Sequence, residues 1–189
     1  MKVFFVGTNR GEGELRKNYE SLYKEISNLG YTHVSDFVVT DTSDFQEQMK
    51  VGRNKHIQFY NEMIHDIQSA DICLFEASTP SLAVGFLIQR SLDLSKPTIA
   101  LYYKDNLVYF LSGIEDDKLI KVSYTEKNYK QVLQKALEAA REKRDKRFNF
   151  FLSPRLLQYI DDASRERGIT KSKLLRDMIV KHMRGTTEV

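Results

Sequence analysis

The chain has 189 residues, 41% of them hydrophobic and 29% charged, with a single cysteine and a formal net charge of +3. That composition is ordinary for a globular protein with a real core. One cysteine excludes a disulfide framework, and no window approaches the roughly 18 uninterrupted apolar residues of a membrane span. The opening MKVFFVG carries too short an apolar run for a secretory signal and reads as a buried strand, so a cytoplasmic location is expected.

Strands and helices alternate through residues 1–140. The strand Lys2–Gly7 is followed by a helix, Glu14–Leu29, closed by Gly30, and by a second strand, His33–Thr40. Ile57, Tyr60, Ile64 and Ile67 recur at helical spacing and predict a helix over Lys55–Ser69. Next come the strand Asp71–Ala77, the helix Ser81–Leu94 and the strand Thr98–Tyr103. A short apolar segment, Leu107–Leu111, precedes an edge strand, Leu119–Tyr124, and the helix Glu126–Arg147 runs into a nearly all-charged end. The pattern predicts an α/β fold, a doubly wound parallel sheet of the Rossmann or flavodoxin-like type with helices on both faces. Cys73 lies inside an apolar run and reads as a small buried hydrophobe. No metal-ligand spacing and no cofactor motif is read from the chain.

After the charged end the pattern changes. Phe148, Phe150 and Leu152 alternate with Arg147, Asn149 and Phe151, as in a strand. Ser153-Pro154 then supplies an N-cap and a first-turn proline. One helix ends at Gly168 and a second follows Thr170, with Leu174, Leu175, Met178 and Ile179 on one face. The expected organisation is therefore an α/β domain over residues 1–145 and a small strand-helix-helix appendage over 146–189. Residues 141–189 hold 13 Lys/Arg against 7 Asp/Glu, so a basic tail follows a mildly acidic body. So short a segment cannot bury a core alone, and it must pack on the body or pair with another copy.

The most informative stretch runs from Asp71 to Leu101. It is a strand-turn-helix-strand unit whose polar, proline-containing corner falls at the carboxyl end of a strand, where ligands sit in open α/β sheets. Glu76 and Ser78 end that strand, and Ser81 stands at the start of the helix, where anions are favoured. The Gly7-Thr8-Asn9-Arg10-Gly11 turn lets backbone N–H groups approach a phosphate while Arg10 supplies charge. Asp36 and Asp41 fall near the end of the second strand, within reach of a base or ribose or simply in a solvated loop. Tyr19, Tyr23 and His65 read as packing or surface residues of helices, and Asp71 as structural.

The segments FFVGTNRG (Phe4–Gly11), ADICLFEAS (Ala70–Ser78), PSLAVGF (Pro80–Phe86) and KPTIALY (Lys96–Tyr102) stand in an order that resembles the nucleoside 2-deoxyribosyltransferase-like family. Within it, the chain is most similar to the 2′-deoxynucleoside 5′-monophosphate N-glycosidases. The resemblance covers the first 125 residues and implies a doubly wound sheet. It also implies a site for a nucleoside 5′-monophosphate built from Gly7, Thr8, Arg10, Gly11, Ser78, Ser81 and Gly85.

Two departures stand against the implied chemistry. The family's nucleophilic glutamate, just after the aromatic residue of the GVGY-type turn, falls on Leu87, and its general-acid aspartate falls on Met63. Such a glycosidase needs one carboxylate as nucleophile and an acid for the leaving base, and neither leucine nor methionine supplies either. The expectation is a nucleotide-binding protein that has lost its catalysis. The alternative is an active N-glycosidase or transferase using a relocated carboxylate, with Glu76 the first candidate and Glu62 or Asp66 behind it.

Residues 147–183 resemble a ribbon-helix-helix module, in which two copies pair their strands. The resemblance implies a homodimer and, through Arg147, Asn149, Thr170, Lys171 and Ser172, contact with DNA. Phe151, on the outward face, does not suit a base edge.

Overall fold

The computed structural model describes residues 1–8, 14–39, 52–106, 109–144 and 149–186. Two compact units make up the chain, Met1–Asp145 and Lys146–Val189.

The first unit contains β1 (Lys2–Val6), α1 (Glu14–Asn28), β2 (Thr32–His33), α2 (Arg53–Ser69), β3 (Ile72–Glu76), α3 (Leu82–Asp93), β4 (Thr98–Tyr103), α4 (Tyr109–Ser112), β5 (Leu119–Tyr124) and α5 (Tyr129–Glu142). Among the described residues the strands form one five-stranded sheet of order β2-β1-β3-β4-β5, with every pair parallel. That is the flavodoxin-like doubly wound order. All five residues of β3 are buried, as a central strand covered on both faces requires.

Alternation along the strands sorts the core into two layers. Val3, Phe5, Ile72, Leu74, Ile99, Leu101, Tyr103 and Tyr124 pack under α1 and α5. Phe4, Val6, Cys73, Phe75 and Ala100 pack under α2 and α3. Cys73 is fully buried, and burial pushes its thiol up to about 11, so it behaves as a core residue.

Three local expectations are corrected. The second strand is only Thr32–His33, not His33–Thr40, because Phe37 to Val39 form a turn. Ser35 Oγ accepts from Phe37 N at 3.2 Å, Asp36 O accepts from Val39 N at 3.0 Å, and the Arg16 guanidinium binds the carbonyls of Val38 and Val39 at 3.2 and 2.9 Å. Thr40 lies outside the described residues. The apolar face of α2 is Phe59, Met63, Ile64 and Ile67, whereas Ile57 and Tyr60 are half exposed. The helix after β5 starts late, at Tyr129, because Asn128 Oδ1 accepts from Thr125 N at 2.7 Å and from Thr125 Oγ1 at 3.1 Å, holding a turn.

The second unit contains α6 (Pro154–Glu166) and α7 (Lys171–Thr186). Ser153 caps α6, accepting from Leu156 N at 3.5 Å, and Gly168 takes a positive φ of 62° between the helices. Residues 149–152 form no strand, since an extended segment needs a neighbour to ladder with. Phe148 and Arg147 lie outside the described residues. Within this unit Ile160, Ser164 and Leu174 are buried, while Phe150, Phe151, Leu157, Tyr159, Ile179 and Met183 are exposed. No helix among the described residues is long and apolar enough to cross a membrane.

Candidate functional site

β1 leads through α1 to β2 on one side, whereas β3 leads through α3 to β4 on the other. The connections therefore diverge between β1 and β3, whose carboxyl ends are the position where doubly wound sheets open a crevice for ligands. Because Val6 pairs with Phe75, Gly7 and Thr8 run beside Glu76 and Ala77. Thr8 is 5% exposed. Beyond Ser78, the turn delivers Ser81 to the N-cap of α3, where its Oγ accepts from Val84 N at 3.4 Å. Gly85 lies on the open side of α3, and an added methyl there meets nothing within 4 Å.

Glu76 is the polar centre of this edge. Its side chain is fully buried and belongs to the layer under α1 and α5. Ser78 Oγ donates to its Oε1, Ser78 N donates to Oε2 at 3.4 Å, and the Tyr124 hydroxyl donates to Oε1 at 3.1 Å. Ser78 Oγ in turn accepts from Tyr103 N at 2.6 Å. Desolvation pushes the Glu76 carboxyl above the usual carboxylate range, against the lowering effect of these donors, and no cation pairs with it among the described residues. Burial and the Glu76 charge together push the hydroxyls of Tyr19 and Tyr124 upward. Tyr19 Oη and Tyr103 Oη are buried without a hydrogen bond of ordinary geometry.

Gly7 has a steric explanation. A Cβ at that position comes within 2.8 Å of the Tyr19 ring, so the first turn of the crevice is shaped by a tyrosine lying across it. Sequence reasoning placed Tyr19 among packing residues and passed over Tyr124. The available signal was period-two parity: a tyrosine at the carboxyl end of β5 shares its face with Glu76 at the end of β3.

The structure gathers Gly7, Thr8, Glu76, Ser78 and Ser81 at one edge. Asn9, Arg10, Gly11 and Asp41 lie outside the described residues. Met63 and Leu87, 5% and 8% exposed, are both packed in the apolar layer under α2 and α3 with Phe75, Val84 and Ile88. Glu62 is exposed and accepts from Gln58 Nε2 at 2.8 Å. Asp66, its carboxyl raised by desolvation, lies one turn of α2, about 4.5 Å, nearer the amino ends of the strands. Asp71 is at that far end too, accepting from Lys2 N at 2.8 Å and pairing with Arg144 at 2.9 Å. His65 and Asp36 are exposed, and Tyr23 stacks on His33 at 3.6 Å.

In the second unit, Thr170 Oγ1 accepts from Lys173 N at 3.2 Å and the Lys171 ammonium pairs with Asp161 of α6. Asn149 and Ser172 are exposed.

No family model matches the sequence. The chain is 30% identical over 107 residues to a Thermofilum pendens protein named as a 2′-deoxynucleoside 5′-phosphate N-hydrolase, covering 57% of this chain and 71% of that one. A Syntrophotalea carbinolica protein of the same name is 31% identical over 104 residues, covering 54% of this chain and 69% of its own. Among solved structures, the Clostridium botulinum CMP N-glycosidase aligns with a TM-score of 0.49 at 19% identity, over 71% of this chain and 99% of that one. With its crevice built on β1 and β3, the chain belongs to the nucleoside 2-deoxyribosyltransferase-like family, alongside the 2′-deoxynucleoside 5′-phosphate N-hydrolases.

Proposed function

We propose that this chain binds a nucleoside 5′-monophosphate in the crevice between β1 and β3 without cleaving its N-glycosidic bond by the two-carboxylate route. The observation that carries the reading is the pair Met63 and Leu87, buried side chains of one apolar layer at the positions where the family resemblance calls for an acid and a nucleophile. Carboxylate pairs do the work in glycoside cleavage, one attacking or activating water and the other protonating the leaving group. The three carboxylates nearby are poorly placed to substitute. Glu62 is exposed, Asp66 is a turn too far along α2, and Glu76 is on the opposite face of the sheet from Met63 and Leu87.

What the site retains suits a phosphate: the Gly7-Thr8 turn, and the N-terminus of α3 behind Ser81, whose free N–H groups and dipole favour an anion. Arg10 and Gly11 are assigned to the same role from the sequence. Calorimetric titration tests this directly. Nucleoside 5′-monophosphates are expected to bind at least about tenfold more tightly than the matching nucleosides, a difference of about 1.4 kcal/mol. Equal affinities remove the phosphate pocket.

For residues 146–189 we propose association with a second copy, in the manner of a ribbon-helix-helix module. The exposed apolar side chains of α6 and α7 favour it, since a unit of this size with so few buried residues is unstable alone. Loss of dimer mass in sedimentation after removal of 147–189 is the expected result. DNA contact through Arg147, Asn149, Thr170, Lys171 and Ser172 predicts a mobility shift that weakens steeply with salt.

A further inference from the structure

The polar groups at the crevice converge on one carboxylate that reaches both of its lips. On the β3 side, Ser78 gives Glu76 both its backbone N–H and its hydroxyl proton, while its oxygen accepts from Tyr103 N of β4. The only proton of the Ser78 hydroxyl is therefore committed to the protein. On the β1 side, the Tyr19 ring fills the space that Gly7 leaves open, and the Glu76 charge helps to raise its buried hydroxyl, which makes no hydrogen bond of ordinary geometry. Tyr124 anchors the carboxylate from β5 at 3.1 Å. Three hydroxyl or backbone donors thus bond one acceptor, and a fourth stands beside it.

We infer that Glu76 is the positioning residue of the crevice, holding the Gly7-Thr8 lip through Tyr19 and the Ser78–Ser81 lip through Ser78 while touching no ligand itself. The inference rests on the nucleotide-binding reading for its consequence, but its geometry is testable separately. A carboxylate accepts from several donors at once, whereas a glutamine of the same shape presents an NH₂ group to donors that need an acceptor. Glu76→Gln keeps only one acceptor oxygen, so whichever way the amide sits Ser78 loses one of its two bonds to residue 76, with little change in volume.

The test compares the full-length wild type with Glu76→Gln, Ser78→Ala, the double variant, and Tyr124→Phe as the mildest change. Amide hydrogen exchange is read at residues 7–8, 77–79 and 81, with residues 72–75 as the internal reference. Exchange at Ser78, whose N–H bonds Glu76, is expected to rise about tenfold in Glu76→Gln, the change that loss of one hydrogen bond brings, with a smaller rise at Thr8, which is held only through the packing of Tyr19, and the β3 amides unchanged. Affinity for nucleoside 5′-monophosphates falls about tenfold, and the double variant loses no more than Glu76→Gln alone, because both act through one contact. Unchanged exchange at the two lips, an equal rise across β3, or additive losses overturn the inference. A wild type that binds no nucleotide defeats the proposed function, and the exchange pattern still decides the role of Glu76.

Discussion

The two faces of the sheet have been given different work. Under α2 and α3 the layer is mostly apolar, Met63 and Leu87 included, with the buried hydroxyls of Ser91 and Thr98 as its polar groups. Under α1 and α5 the layer is equally well packed but ends, at the carboxyl edge, in a buried carboxylate ringed by Tyr19, Tyr103, Tyr124 and Ser78. On the face where the family resemblance calls for reactive carboxylates, Met63 and Leu87 are core residues, and the buried carboxylate of Glu76 stands on the other side. Position at an edge of the fold and the face a side chain occupies are thus separate properties, and Glu76 shares only the first with Met63 and Leu87.

Restoring a carboxylate to the apolar face should have the largest effect. Leu87→Glu leaves an unpaired charge in the layer of Met63, Val84 and Ile88, and is expected to cost about 3–5 kcal/mol at neutral pH. Desolvation raises such a carboxyl, so the loss shrinks as pH falls and the group is neutralised; denaturant unfolding at two pH values checks both signs. A small penalty at neutral pH would mean the face is wetter than its packing indicates.

Gly7→Ala disturbs the polar face instead. The added methyl meets the Tyr19 ring at 2.8 Å, and overpacking of this kind costs about 1–3 kcal/mol in thermal or chemical unfolding. Smaller again is the pH effect of Glu76. Its folded carboxyl titrates above the ordinary value of 4.5, so the folded state binds the proton more readily than the unfolded chain. Its contribution to stability is fully present below the unfolded value and declines as pH rises through the folded one. Glu76→Gln should flatten that part of the stability profile. The smallest effect is expected for Arg144→Ala, which removes a partly exposed ion pair with Asp71 at the amino end of the sheet and costs at most about 1 kcal/mol.

The fold was legible because its strongest signals are local. The apolar runs of β3 and β4 and the Ser81 cap each specify an element without outside help. Phe37-Val38-Val39 misled because β-branched and aromatic residues look like a strand, while Ser35, Asp36 and Arg16 turn the chain there. The site was legible in part. The sequence placed Gly7, Ser78 and Ser81 at the corners where the structure has them, but the reason for Gly7 is Tyr19, a contact across 12 residues of sequence. Tyr124 was missed because its partner is 48 residues away and only strand register brings them together. In the second unit, the alternation of Phe150 and Leu152 predicts a strand that residues 149–152 do not form.

Whether the crevice carries out any chemistry is tested most directly by chromatography of free base released from a panel of ribo- and deoxyribonucleoside 5′-monophosphates, with binding followed in parallel. Binding without base release is the predicted result. Release that is abolished by Glu76→Gln would contradict the account and show that the crevice has rebuilt its catalysis around the carboxylate on the other face.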